Sequence, residues 1–63
     1  MRKNLLKARK DEDLTQVEIS KILGISDRYY RALEAGTSNG SVKLWDKLED
    51  LLGVSQRQLR DTE

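Results

Sequence analysis

The sequence predicts an all-α fold, a compact bundle of five short helices, and three observations carry that prediction. Thr15 followed by Glu18 makes a capping box, in which each residue satisfies a backbone donor of the other at a helix start. Gly24 can end that helix in the left-handed conformation, and Ser26 caps the next helix two residues later, leaving almost no linker. Leu44, Trp45, Leu48, Leu51 and Leu52 then cover about 120° of a helical wheel, a strong amphipathic signal.

Sixty-three residues suffice for one domain, 1–63, with a single core. Such a core leaves a stability margin of roughly 3–5 kcal/mol. The chain has no cysteine and no histidine, which excludes zinc fingers, disulfide scaffolds and any catalytic triad needing an imidazole or thiol. No metal or cofactor is expected, and helix packing must supply the stability, helped by any partner subunit. There is no apolar run long enough to span a membrane and no signal-peptide pattern, so a soluble, cytoplasmic protein with no membrane partner is expected. No small-molecule ligand is evident. Net charge is only +1, but Arg2, Lys3, Lys7, Arg9 and Lys10 crowd the start while Asp46, Glu49 and Asp50 gather later. A nearly neutral chain can thus carry one basic and one acidic face.

The first helix is expected from Arg2 to about Glu12. At about 100° per residue, Leu5 and Leu6 share one side and Arg9 falls between them. An arginine there either pairs with an acid or lays its stem on the core and its head in water. Pairing is favoured, with Glu34 as the partner. Asp11, Glu12 and Asp13 form a polar turn. The second helix, Gln16 to Leu23, places Ile19, Ile22 and Leu23 on one arc with Ser20 at its edge, a small residue where two helices approach closely. Val17 points away, either as an ordinary exposed valine or as an apolar contact to a bound partner.

The third helix, Asp27 to about Ala35, divides most clearly. Tyr29, Tyr30 and Leu33 occupy one arc; Asp27, Arg28, Arg31 and Ala32 fill the opposite one. Two helices around a glycine turn make a helix-turn-helix, and such an outer arc suits a helix that reads DNA in the major groove. Arg28 and Arg31 can grip guanine O6 and N7 through their planar forks, each good pair giving about 1–3 kcal/mol of discrimination. Asp27 either accepts from cytosine N4 or favours the helix N-terminus through its dipole. Ala32 can touch a thymine methyl. An ordinary solvated face would explain the same residues, but the helix-glycine-helix context favours reading.

Gly36 to Ser41 is a polar loop suited to phosphate contact. Ser41 caps the fourth helix, Val42 to Leu52, in which Lys43 points off the apolar stripe and can reach a phosphate. Trp45 is assigned to the core or to a subunit interface. Gly53 ends this helix, Ser55 begins a short fifth one carrying Leu59, and Asp61 to Glu63 are expected to fray. No internal repeat, low-complexity tract or linker interrupts the chain.

Leu14-Thr15-Gln16, Leu23-Gly24-Ile25-Ser26, Leu33-Glu34-Ala35-Gly36 and Leu52-Gly53-Val54-Ser55, in register, resemble the Cro/repressor-type (Xre family) helix-turn-helix domains over residues 5–59. The resemblance implies a lambda-repressor-like DNA-binding fold and matches Arg9 to the family arginine that pairs with the glutamate at Glu34. It implies a phosphate contact at Gln16, base reading at Asp27, Arg28 and Ala32 with Arg31 beside them, and a backbone approach at Asn39. Three positions depart from the pattern. Ser20 replaces the usual alanine. Gly40 stands where proline is common, which predicts a more mobile loop. Glu49 stands where a small apolar residue is typical, which predicts a rotated fourth helix or one facing a partner.

The expected function is sequence-specific binding of double-stranded DNA by a small bacterial or phage repressor, with Gln16, Tyr29, Asn39 and Lys43 on phosphates. One domain reads few base pairs, so a homodimer on a palindrome is expected, with Trp45, Val54 and Leu59 as candidate interface. The alternative is an antitoxin or other protein-interaction module of the same fold; a long disordered C-terminal tail would favour it, and the chain ends a few residues past Leu59. An enzyme is not expected: there is no paired-carboxylate spacing, and the acids at 46, 49 and 50 read as a solvated helix face.

Overall fold

A computed structural model of the protein describes residues 1–62. It contains α1 (Lys3–Asp11), α2 (Gln16–Leu23), α3 (Asp27–Ala35), α4 (Val42–Leu52) and α5 (Gln56–Leu59), with no strand among the described residues. Helix α1 is one residue shorter at each end than its periodicity suggests. Arg2 sits at its N-cap without a side-chain capping bond, and Glu12 sits at its C-cap. Asp61 and Thr62 are exposed and irregular; Glu63, the last residue of the expected frayed end, lies outside the described residues.

The caps explain why the helices start where they do. Thr15 Oγ1 accepts from Glu18 N at 3.1 Å while Glu18 Oε1 accepts from Thr15 N at 2.9 Å. These bonds, the backbone one first, hold the Glu18 carboxyl below its usual range. Ser26, Ser41 and Ser55 each accept from the amide three residues on. Gly24, with φ +72°, turns the chain out of α2 and straight into the Ser26 cap.

The core collects Leu5 and Ala8 from α1, Ile19 and Leu23 from α2, Tyr30 and Leu33 from α3, the α4 stripe, and Leu59 from α5. Helix α2 packs on α3, and α1 and α4 both pack on α5, so the short last helix closes the bundle. Three expectations are corrected here. Ile22 is 56% exposed, not core. Burial of α2 centres between Ile19, Leu23 and the small Ser20, whose side chain folds back onto Val17 O at 2.7 Å, and at about 100° per residue Ile22 falls outside that arc.

Trp45 and Leu59 are unavailable to a second subunit, because both are fully buried within one chain. Of the three candidate interface residues only Val54 keeps solvent-facing surface. Glu49 needs no partner chain and no rotation of α4. Its carboxylate accepts from the Gln56 backbone amide at 3.2 Å and from Gln56 Nε2 at 3.3 Å, while Asp46 accepts from the same side-chain amide at 2.7 Å. An acid at this position therefore docks the start of α5 onto α4, and only Asp50 of the three acids lacks such a bond among the described residues.

Candidate nucleic-acid interface

Helix α3 presents its outer arc from a fixed back. Tyr30 and Leu33 are fully buried, and Tyr29 is half-buried against the edge of the core. On the other side Asp27, Arg28 and Arg31 are exposed and Ala32 is half-exposed. Arg31 Nη2 lies 3.8 Å from Asp27 Oδ2, one helical turn away, a loose solvent-facing pair. Arg28 has no ion-pair partner among the described residues. The four side chains expected to meet bases thus share one open face.

The back of α3 is held by a buried polar cluster built on Glu34. Its carboxylate accepts from Arg9 Nε at 2.6 Å and Nη2 at 3.4 Å, from Tyr30 Oη at 2.5 Å and from Gln16 Nε2 at 3.1 Å. Arg9 Nη1 also donates to Leu14 O at 2.6 Å. Arg9 therefore pairs within the fold and its head does not reach water. Burial opposes the Arg9 charge, but the hydrogen bond and charge of Glu34 outweigh it and hold the guanidinium above its ordinary value. Burial first, and Glu34 second, push the Tyr30 hydroxyl far up. No buried side-chain polar atom among the described residues lacks a partner.

The residues expected on phosphates are less uniform. Lys43 and Asn39 are exposed, whereas Tyr29 is half-buried. Gln16 is half-buried, with its amide nitrogen committed to Glu34. That bond turns the amide so that one N–H faces the core, and couples the start of α2 to the end of α3.

The loop after α3 is held from inside by a residue whose role was not apparent from the sequence. Arg2 is only 5% exposed. Its Nη1 donates to Leu33 O at 2.6 Å and Ser38 O at 2.7 Å, and its Nε donates to Arg60 O at 3.1 Å. Its guanidinium lies 5.1 Å from the centre of the Trp45 ring, and its backbone amide donates to Glu34 O at 2.7 Å. Burial, and then the nearby Arg60 charge, lower its pKa. Trp45 Nε1 in turn donates to Asn39 O at 2.8 Å.

Gly40 has φ +71°, outside proline's range, and a Cβ there would sit 2.8 Å from Trp45 Nε1 and 3.0 Å from Leu33 Cδ2. Glycine at 40 thus allows close packing against Trp45 and Leu33. No apolar periodicity signals Arg2, because its acceptors are carbonyl groups at the ends of distant elements.

A family model described as Helix-turn-helix matches residues 5–59. No curated protein and no solved structure gives a significant match.

Proposed function

The chain belongs to the Cro/C1-type helix-turn-helix family of DNA-binding transcription regulators, and from that premise we propose that it is a sequence-specific repressor acting as a homodimer on a palindromic operator. The observation that carries this reading is the exposed arc of α3, with Asp27, Arg28, Arg31 and Ala32 on one face of a helix whose other face packs on the core through the buried Tyr30 and Leu33. Arg28 and Arg31 read guanine in each half-site, Ala32 packs on a thymine methyl, and Asp27 sits where it can accept from cytosine. The pairing of Arg31 with Asp27 is loose enough to open when a base edge competes for the guanidinium. Gln16, Tyr29, Asn39 and Lys43 hold the flanking phosphates and set the register.

A domain of 24 × 22 × 20 Å spans few base pairs, which supports two copies on DNA with half-sites about one helical turn, ~34 Å, apart. Since Trp45 and Leu59 are internal, the contact between copies uses other surface, with Val54 the remaining candidate. Repression follows if the occupied site overlaps a promoter.

Selection of binders from random duplex DNA tests the reading. A two-fold symmetric motif, with affinity falling steeply as salt rises, is the expected result. A folded protein that enriches no sequence would refute it.

A further inference from the structure

We propose that the phosphate-binding surface does not end at the loop after α3 but continues onto α5, where Arg57 and Arg60 each hold a DNA phosphate. This rests on the DNA-binding reading above and extends it to two residues that neither the helix-turn-helix pattern nor the α3 face assigns. A cleft of about 590 Å³ opens beside Asn39 and is lined by Arg57, Arg60, Asp61 and the edge of Arg2. Three arginines against one aspartate give this wall a formal charge of +2, larger than the +1 of the whole chain. Arg57 and Arg60 are exposed, and neither has a carboxylate partner among the described residues. Asp61 lies in the same wall but pairs with neither arginine, so a phosphate arriving here meets two guanidinium groups free of ion pairs among the described residues.

The second observation is that the two walls are joined. Arg2 donates to Ser38 O on the loop and to Arg60 O at the end of α5, so one buried side chain ties Asn39's loop to the segment bearing the two arginines. Trp45 holds the same loop through Asn39 O. Glu49, by accepting the Gln56 amide, fixes the start of α5 against α4. The cleft is thus held in one shape, and a phosphate chain that meets Asn39 finds Arg57 and Arg60 beside it without rearrangement of the backbone. Among the described residues, Asp61 is the one repulsive group in this wall.

Titrating the intact protein against its selected duplex at several salt concentrations tests the proposal. Each phosphate contact contributes about 0.9 to the slope of log affinity against log salt. The double variant Arg57→Gln/Arg60→Gln removes two contacts per protomer and should therefore lower the slope by about 1.8 per protomer, about 3.6 for the dimer on its duplex. The affinity loss of the variant dimer between 50 and 200 mM salt should be roughly a hundredfold smaller than that of the wild-type. The preferred sequence should not change, and Asp61→Asn should raise affinity. Both variants alter exposed side chains, and unchanged melting temperatures separate the effect from unfolding. A selective wild-type whose slope is unchanged in the double variant overturns the proposal and leaves the DNA-binding reading standing. A wild-type that selects no sequence overturns both.

Discussion

Glu34 accepts hydrogen bonds from Arg9 of α1, Gln16 of α2 and Tyr30 of its own helix, so one carboxylate ties together the three helices around the proposed reading face. Tyr30 shows how such a site responds to pH. Its hydroxyl is buried and donates to a carboxylate, so ionising it in the fold would set a second negative charge against the first. The folded pKa lies above the unfolded value of 10.0. Stability from this group is therefore complete below about pH 10 and is lost as pH rises beyond it. Tyr30→Phe should cost about 1.5–3 kcal/mol at neutral pH, by removal of a charge-assisted hydrogen bond. Its stability should also decline less above pH 10 than that of the wild-type. Denaturant melts at pH 7 and 11 measure both, and equal declines would deny Tyr30 the alkaline effect.

At the level of elements, α3 and the loop that follows it have different tasks and should fail differently. Arg28→Ala should relax the preference at one base position of each half-site at a cost of about 1–3 kcal/mol per half-site, whereas Lys43→Ala should weaken all sequences about equally and lower the salt slope by about one per protomer. Binding titrations on matched and mismatched duplexes separate them, and identical behaviour would refute this division of labour. In the loop, Gly40→Ala drives a methyl group into Trp45 and Leu33 at a positive φ. It should destabilise by about 1–3 kcal/mol. It should also shift Trp45 emission to the red, as the ring loses its packing on Gly40 and its bond to Asn39 O. Native emission with native stability would mean that the loop yields freely. All five helices were legible from caps, glycines and apolar arcs. The expected α1 included its two cap residues, Arg2 and Glu12, and nothing in the sequence signalled that Arg2 serves as a tether.

The whole domain must survive on a small margin, roughly 3–5 kcal/mol for a chain of this size. Removing one member of a buried ion pair leaves the other charge uncompensated, at a cost of about 3–5 kcal/mol. Glu34→Ala should therefore consume most of the stability of the molecule, while Glu12→Ala at an exposed cap should change little. Circular dichroism melts compare them, and equal melting temperatures would show that the cluster contributes nothing net. The same small size explains the corrected interface. A bundle with five helices and one core cannot spare Trp45 or Leu59 for a neighbour, because both already fill its centre.

Local chemistry alone determined the helices, the glycine turn and the polar outer arc of α3, since each follows from spacing on one element; it also required an acidic partner for Arg9, which the family resemblance matched to Glu34. Tertiary structure decided what depends on meetings between elements. Ile22 faces out because the side of α2 that packs inward centres on Ile19, Ser20 and Leu23, and Glu49 is satisfied because α5 folds back onto α4. Arg2 is buried because carbonyl groups from the end of α3, the following loop and the end of α5 converge on it. Backbone acceptors look alike at every position of a sequence, and only the fold reveals which of them a side chain will reach.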